Sequence, residues 1–449
     1  MTVSENPTSA VSAPGKVLLA GGYLVTDRHY TGLVFGLDAR INILAQGIPT
    51  SQGVQLSEIV VDSPQFLAAS WRYGYHLAPD DGGITVTQLQ VGPHITSNPF
   101  VETTLSYVLT YISRVTRQRP LHSLTPSRLT ILADSSYYSA PTPEPDAQLH
   151  PSPAKSRFVH MQTTIALAKK TGLGSSAALV TSLTAALLSH YLHPIHFDLT
   201  SDKGRAILHN LAQTAHCRAQ GKIGSGFDVA AAVYGSCLYR RFSPSILDQI
   251  PQPGQPGFGT KLEDAVKAQW DTELLKDRVS LPPGIAMRMV DVECGSQTVG
   301  MVKSVNAWRA ADPDGSNALW AELQTRNEAL ARVLAEGKVE ELPAALKTSR
   351  ELVKKMGVAS GVPIEPDSQT QLIDALSDIE GVYGGVVPGA GGFDAVAVLV
   401  QDDEETTKRL EAFLAEWSRE KDATVKLLSV RGELDGVRPE KWAEFEGWL

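Results

Sequence analysis

The sequence predicts an α+β protein of two domains, in which an α/β nucleotide-binding domain comes first. The chain has 449 residues, more than one hydrophobic core usually fills, and 43% of them are apolar, which is enough for two cores. Strand-like and helix-like segments alternate along it. We therefore place an N-terminal domain at residues 1–243, a connecting segment at 244–284 and a C-terminal domain at 285–449.

The N-terminal elements follow from short apolar runs and from one long helical pattern. Residues 17–20, 41–45 and 127–132 are strand-like, and residues 141–156 form a proline-rich polar stretch that we expect to be an exposed loop. From Ser176 onward, apolar side chains recur at the spacing of one helix face. These are Leu179, Val180, Leu183, Leu187 and Tyr191.

The connecting segment opens with a Pro/Gly-rich passage at residues 244–257 and closes at a Pro-Pro-Gly sequence. Between them, residues 261–276 are charged and helix-like. Beyond the segment we predict a strand at 285–293, and then, in order, three helices, a strand, a helix and a strand ending near residue 430. The three helices lie around 316–335, 339–356 and 368–378. This alternation suits an α+β sandwich with helices on one sheet face.

Charge and cysteine content exclude several classes of protein. The net charge is −9, from 40 basic and 49 acidic residues, and no basic tract is present. We therefore expect no nucleic-acid partner and no anionic membrane, and a site for anions would have to concentrate positive charge locally. Cys217, Cys237 and Cys294 show no CxxC or metal-binding spacing, which is typical of a reducing compartment.

No targeting or membrane segment is evident. The first thirteen residues are polar and lack the pattern of a signal peptide. The longest apolar region, residues 381–400, is interrupted by six glycines, a proline and an aspartate, so it does not qualify as a transmembrane helix. We expect a cytoplasmic protein, and the sequence does not determine its oligomeric state.

The most informative motif is Thr-Gly-Leu-Gly-Ser-Ser-Ala-Ala at residues 171–178, which leads directly into the long apolar helix. Glycines allow backbone N–H groups to converge, and a helix N-terminus adds about half a positive charge. Two other interpretations are an ordinary Gly-Ser turn and a relaxed dinucleotide fingerprint. The second lacks a clean preceding strand and a well-placed acidic residue.

The anion-binding interpretation assigns this loop to the β- and γ-phosphates of ATP. The expected nucleotide-binding residues are Gly172, Leu173, Gly174, Ser175, Ser176 and Ala177. We expect the Ser176 hydroxyl to be positioned for Mg²⁺ as well.

Three further motifs support a phosphate-handling site. Ala-Pro-Gly-Lys-Val-Leu-Leu-Ala-Gly-Gly-Tyr at residues 13–23 places Lys16 as a point charge on a strand. Val-Pro-Gly-Ala-Gly-Gly-Phe-Asp at 387–394 is a second loop able to wrap around an anion. Lys-Ile-Gly-Ser-Gly-Phe-Asp-Val at 222–229 places Asp228 at a helix start, where the alternative role is an N-cap.

Phosphoryl transfer requires an anion cradle, a cation and a group near the attacking oxygen, and these motifs supply all three. The sequence contains no G-x-x-x-x-G-K-[ST] loop and none of the H-R-D, D-F-G or V-A-I-K motifs of protein kinases. It therefore predicts a kinase of another class.

Together the motifs resemble the GHMP small-molecule kinases, named for galactose, homoserine, mevalonate and phosphomevalonate, from about residue 10 to about residue 430. The sequences of these motifs are most similar to those of the phosphomevalonate kinase branch. Mevalonate kinases usually have Gly-Glu-His where this chain has Gly21-Gly22-Tyr23, and Pro-Ser-Gly where it has Gly224-Ser225-Gly226. Many relatives also carry Glu at the position of Gly22.

The resemblance implies a ferredoxin-like C-terminal half, an active site between the halves, and ATP- and Mg²⁺-dependent phosphorylation of phosphomevalonate. A mevalonate- or homoserine-type kinase, or a catalytically inactive binding protein of this fold, remains the alternative. Asp228 matches the catalytic aspartate of the family and Lys16 its partner lysine. Two mechanisms stay open: Asp228 acts as the general base, or Lys16 polarises the attacking oxygen.

One position departs from the mevalonate kinase pattern. Those enzymes place a metal-binding Glu eleven residues before the aspartate, and this chain has Cys217 there, beside His216. The resemblance therefore implies magnesium held by ATP phosphates, Ser176 and water, with Asp228 as a further possible ligand.

An acceptor such as phosphomevalonate is anionic, so cationic partners are needed. Lys222 is the first candidate, ahead of Arg218, Lys303 and Arg309, each of which is more typical of a solvated surface. Tyr23 either offers its hydroxyl to the substrate or packs in the core, and Asn98 is expected to edge the adenine pocket. The remaining substrate-side residues are Ser225, Gly389, Ala390, Gly391 and Ser296.

Overall fold

The computed structural model describes residues 8–51, 57–90, 96–116, 124–139, 157–292 and 298–449. Its strands are β1 (Ser9–Ala20), β2 (Gly32–Gly47), β3 (Glu58–Asp62), β4 (Ser70–Leu77), β5 (Ile84–Gln88), β6 (Ser127–Ala133), β7 (Cys237–Arg240), β8 (Glu273–Leu275), β9 (Ile285–Val292), β10 (Val382–Val386), β11 (Ala395–Gln401), β12 (Val425–Glu433) and β13 (Arg438–Pro439).

The helices alternate with these strands. They are α1 (Pro99–Val115), α2 (Ser175–Tyr191), α3 (Asp202–Ala219), α4 (Phe227–Tyr234), α5 (Ser245–Asp248), α6 (Phe258–Lys267), α7 (Thr298–Ala311), α8 (Pro313–Ala335), α9 (Leu342–Ser360), α10 (Asp367–Ser377) and α11 (Glu404–Lys421). Short 3₁₀ turns lie at Leu24–Thr26, Ser135–Tyr137, Val339–Glu341 and Trp442–Trp448.

The described strands join into one hydrogen-bonded sheet in the order β10-β11-β9-β12-β2-β6-β3-β4-β5. The pairs are antiparallel except for β3 with β6, which is parallel. Strand β1 pairs with β2 and β13 off this path, and β7 joins β2 to β8. Strand β2 is buried along most of its sixteen residues, so it forms the centre of the fold.

Hydrophobic residues fill two principal cores. The larger one lies between the β1–β2 region and helices α1, α2 and α3. A second core packs α10 and α11 against one face of β9, β10 and β11. These two cores and the mixed helix and strand content confirm the predicted α+β class, while the domain boundaries stay a prediction.

The end of the chain returns to the N-terminal strands. Strand β12 pairs with β9 near its start and with β2 near its end. Arg40, which is 1% exposed, joins this return by an ion pair to Glu433 at 2.7 Å and a hydrogen bond to Ser12 at 2.6 Å. A buried guanidinium requires such partners, so this network links β2 to the chain end.

The strand predicted at 127–132 and the three C-terminal helices are present within a few residues of their expected limits, whereas β1 and β2 begin well before the strands predicted at 17–20 and 41–45. Residues 261–276 do not form one helix, because α6 ends at Lys267 and residues 273–275 pair with β7. Helices α1, α3 and α7 were not predicted. The proline-rich stretch at 141–156 lies outside the described residues, as does the end of the strand predicted to reach 293.

None of the helices in the described residues combines the length and the apolar content needed to cross a bilayer.

Candidate active site

The loop at residues 171–178 is held against strand β1. The backbone N–H of Lys16 donates to the carbonyl oxygen of Leu173 at 2.9 Å. Gly174 has φ of +83° and precedes the first residue of α2, and a Cβ there would overlap the Lys16 side chain. Only glycine satisfies both conditions, so the loop and the lysine fit together through this residue.

Lys16 lies at the meeting point of the loop and α4. Its Nζ donates to the Gly172 carbonyl at 3.5 Å and lies 5.7 Å from the centre of the Phe227 ring. Burial lowers the pKa of Lys16, and the nearby Asp228 carboxylate partly opposes that effect. The lysine is thus a poorly hydrated cation, which interacts strongly with an anionic ligand.

Asp228 is in the first turn of α4, and its side chain is 22% exposed. The N-cap of the helix is Gly226, in the left-handed conformation, so Asp228 is not the cap. Tyr239 donates to the Ser225 carbonyl at 2.8 Å and fixes the preceding turn. The Oδ1 atom of Asp228 accepts the Val229 N–H at 3.0 Å, and Oδ2 faces the cleft side of α3.

The loop at residues 387–391 closes the site from the C-terminal side. The N–H of Gly389 donates to the Leu18 carbonyl at 3.1 Å, and Gly391 donates to Pro388 at 3.1 Å. Tyr23 is 3% exposed and donates its hydroxyl to the Ala390 carbonyl at 2.6 Å. This hydroxyl is already committed to the backbone, so the geometry favours the packing role of Tyr23 over substrate binding.

A cleft of about 750 Å³ separates these elements and brings most of the predicted residues together. Its lining includes Lys16, Gly172, Lys222, Ser225, Asp228, Gly389, Ala390 and Gly391. Among the described residues, five basic and three acidic side chains line it, although the whole chain is acidic. Positive charge is therefore concentrated locally, as an anionic ligand requires.

A second cavity of about 230 Å³ adjoins the start of α2. Ser175, Ser176 and Asn98 line it, together with Lys170 and four aromatic side chains. The aromatic residues are Phe66, Trp71, Phe100 and Tyr138. Asn98 is also the N-cap of α1, where its Oδ1 accepts the Val101 N–H at 3.4 Å.

Some predicted residues lie elsewhere. Leu173 and Ala177 are each 1% exposed, so their side chains lie in the core rather than in the cleft. Ser296 is outside the described residues. Arg218 and Lys303 are exposed and do not line the cleft.

Arg309 does line the cleft, but it is engaged in other contacts. It forms an ion pair with Asp27 at 2.6 Å, and its guanidinium carbon lies 4.0 Å from the centre of the Trp320 ring. The pKa of Asp27 is lowered although burial opposes this, because His29 and Arg309 donate hydrogen bonds to the carboxylate.

Arg241 also lines the cleft and was not predicted from the sequence. Its Nη1 donates to the Thr26 carbonyl at 2.6 Å, and Nη2 donates to the carbonyls of Ile223 at 3.3 Å and Gly224 at 2.8 Å. Burial lowers its pKa. The one available signal was an Arg-Arg pair immediately after a strand, which is too common to indicate a site.

Lys16, Lys222 and Arg241 share a further property. Among the residues that the structure describes, no carboxylate forms a salt bridge with any of these three cleft cations. Their charge is therefore available to a ligand.

Comparison with known proteins agrees with this geometry. The model of the GHMP kinases N terminal domain matches residues 148–236. A phosphomevalonate kinase of Gibberella zeae is 60% identical over 447 residues, covering 99% of each chain. The phosphomevalonate kinase of Aspergillus fumigatus is 45% identical and covers 98% of each chain.

A solved structure shows the same fold. It is a phosphomevalonate kinase of Streptococcus pneumoniae in complex with phosphomevalonate and AMPPNP, with a TM-score of 0.62 and 17% identity, and the match covers 94% of this chain and 99% of that one. The identity over whole chains with the fungal relatives settles the family. This chain belongs to the phosphomevalonate kinases of the GHMP superfamily.

Proposed function

We propose that this protein transfers the γ-phosphoryl group of ATP to the phosphate of (R)-5-phosphomevalonate, giving 5-diphosphomevalonate and ADP in isoprenoid and sterol precursor synthesis. The observation that carries the proposal is the charge of the larger cleft. Lys16, Lys222 and Arg241 line it without salt-bridge partners in the described chain. Two polyanionic substrates can be held there together.

The nucleotide fits across the two cavities. A purine base suits the aromatic walls of the smaller cavity, where Asn98 offers a polar edge. Ser175 and Ser176 are the first two residues of α2 and border that cavity, so the phosphates reach the helix N-terminus. Lys16 then lies on the cleft side of the same loop, near the group to be transferred.

The acceptor fits the opposite end of the cleft. Lys222 is exposed and follows α3, and Arg241 lies beyond it on the wall made by residues 223 and 224. Both are suited to the phosphate or carboxylate of phosphomevalonate. Gly389, Ala390 and Gly391 complete this end from the C-terminal side.

The reaction forms one bond from an acceptor phosphate oxygen to the γ-phosphorus and breaks the bond to ADP. A phosphate monoester has its second pKa near 6, so at pH 7 the attacking oxygen is mostly unprotonated already. This favours charge stabilisation by Lys16 over proton removal by Asp228. In that case Asp228 orients Lys16 and the acceptor.

The donor set fits a magnesium ion carried by the nucleotide. The described residues contain no group of three His, Cys, Asp or Glu side chains able to hold a metal. Ser176 and Asp228 would supply protein oxygens beside the phosphates and water, and Mg²⁺ typically keeps several waters. When bound, the ion neutralises charge on the β- and γ-phosphates.

The test is a coupled assay of purified protein with ATP, Mg²⁺ and a panel of mevalonate, phosphomevalonate and homoserine. Two charge-assisted hydrogen bonds to the acceptor phosphate, at about 1.5–3 kcal/mol each, correspond to a preference on the order of 10² to 10⁴ in kcat/KM. Comparable kcat/KM for mevalonate and phosphomevalonate would overturn the substrate assignment. Binding of ATP without turnover of any acceptor would support the inactive alternative.

We also propose a cytoplasmic location, which is supported by the free, buried cysteines Cys217 and Cys237. Fluorescence microscopy of the full chain carrying an internal tag tests it. Accumulation in peroxisomes or mitochondria would contradict the proposal.

A further inference from the structure

One face of α3 lines the larger cleft with polar side chains. Gln213, His216 and Gln220 follow each other at intervals of three and four residues, which places them on the same side of the helix. All three border the cleft beside Asp228. The face of α3 beside Asp228 is therefore polar, and none of these three residues is a carboxylate.

Cys217 does not supply a metal ligand. It is 6% exposed and lies in an apolar cluster with Phe242 and Trp270, and its Sγ accepts a hydrogen bond from Gln213 at 3.2 Å. Burial raises the pKa of its thiol. Cys217 thus packs in the apolar cluster beside the polar face of α3 and does not line the cleft.

His216 instead connects the two cavities. It is 2% exposed, and its Nε2 lies 3.2 Å from the Ser176 Oγ, 3.1 Å from the Gln220 Nε2 and 3.8 Å from the Asp228 Oδ2. Ser176 borders the smaller cavity, whereas His216 and Asp228 border the larger one. A single ring nitrogen therefore meets groups from both sides of the phosphate-transfer region.

The hydrogen bonds indicate which way this nitrogen acts. The Gln220 amide nitrogen can only donate, so in this orientation the His216 Nε2 is an acceptor and the ring proton is on Nδ1, an assignment that follows from the network. The single lone pair of this nitrogen then lies between two donors, the Gln220 amide at 3.1 Å and the Ser176 hydroxyl at 3.2 Å, which share it in a bifurcated hydrogen bond. The oxygen lone pairs of Ser176 are left for a cation.

We propose that His216 is a positioning residue, which accepts the Ser176 hydroxyl hydrogen and thereby fixes the Ser176 oxygen as a ligand for nucleotide-bound Mg²⁺. The inference rests on the proposed function for the position of the nucleotide. Removing a group that orients a metal ligand typically costs 10–100-fold in metal affinity.

The experiment measures Mn²⁺ binding by electron paramagnetic resonance in the presence of a non-hydrolysable ATP analogue. His216→Ala is expected to weaken Mn²⁺ binding by 10-fold or more, whereas His216→Gln retains an acceptor and remains within about threefold of the wild type. His209→Ala is the matched control, because His209 is also buried on α3 but does not line the cleft. It should change thermal stability without changing Mn²⁺ affinity.

A double-mutant cycle tests the route of the effect. If His216 acts through Ser176, then His216→Ala has little further effect on Mn²⁺ affinity in a Ser176→Ala background. Unchanged Mn²⁺ affinity in folded His216→Ala, or an equal loss in both backgrounds, overturns the proposal.

A readout that needs no substitution is the tautomer itself. Long-range ¹H–¹⁵N spectra of histidine-labelled wild type are expected to show His216 protonated at Nδ1, and protonation at Nε2 alone would refute the inference. Failure of the proposed function is seen separately, as loss of the phosphomevalonate preference in the turnover assay while the Mn²⁺ results stand.

Discussion

The carbonyl oxygen of Gly389 packs directly on Gly22, in the space that a Cβ at position 22 would occupy. The contact joins the turn after β1 to the cleft loop at residues 387–391, which are far apart in the chain. A side chain at position 22, such as Glu, does not fit here unless the loop moves.

We expect Gly22→Ala to displace the 387–391 loop. Overlap with a backbone atom in a packed region should lower the free energy of unfolding by about 1–3 kcal/mol and raise the KM for the acceptor. Gly47→Ala is the control, since nothing lies within 4 Å of a Cβ there. Melting temperature and steady-state kinetics provide the measurements, and equal behaviour of the two variants would contradict the close packing.

Asp228→Asn removes the carboxylate charge and keeps the side-chain size. We expect kcat to fall by on the order of 10² to 10⁴, whether Asp228 acts as a base or orients Lys16 and the acceptor. The dissociation constant of ATP should change little, because the carboxylate lies on the cleft side of the loop. Near-normal turnover would remove Asp228 from the catalytic residues.

Lys222→Ala tests the acceptor end of the cleft. Losing one charge-assisted hydrogen bond should raise the KM for phosphomevalonate by about 10-fold or more, with kcat and ATP affinity nearly unchanged. Lys203→Ala, an exposed lysine at the start of α3, provides the comparison. If both variants keep the wild-type KM, another cation, with Arg241 first, holds the phosphate.

Buried His209 predicts a loss of stability in acid. Burial lowers its pKa to about 4, against 6.5 for the ordinary side chain. The unfolded chain therefore binds a proton that the folded chain does not, and stability is lost as the pH falls from about 6.5 towards 4. The contribution at pH 4 is about 3 kcal/mol.

The corresponding measurement is thermal or urea unfolding of wild type and His209→Gln between pH 4 and pH 7. The variant should show a flatter pH dependence in that window. If stability depends on pH with the same slope in both proteins, folding does not lower the pKa of His209.

The motifs that the sequence identified are local ones. A glycine before α2, the helix spacing after Ser176 and the Gly-Ser-Gly turn before Asp228 each depend on neighbouring residues and on backbone conformation. Local conformational preference is encoded over a few positions, so these features could be recognised without a fold. The resemblance to the GHMP kinases predicted, in addition, which of these loops meet at one site.

Contacts between distant segments could not be recognised in this way. Tyr23 was equally suited to substrate binding and to packing until the Ala390 carbonyl, 367 residues later, was found to accept its hydroxyl hydrogen. Arg241 is held in the cleft wall by hydrogen bonds to the carbonyl oxygens of Thr26, Ile223 and Gly224, which are distant from it in the sequence. The helix expected over 261–276 ended early because residues 273–275 pair with β7, and such tertiary pairing overrides local propensity.

The sequence alone thus determined the chemistry available to this protein: an anion-binding helix start, a lysine on a strand and an aspartate at a turn. The tertiary structure decided which groups face each other, including His216 with Ser176 and Gly22 with Gly389. The physical reason is that backbone conformation is set largely by nearby residues, whereas burial, lost hydration and hydrogen-bond partners depend on segments that only folding brings together.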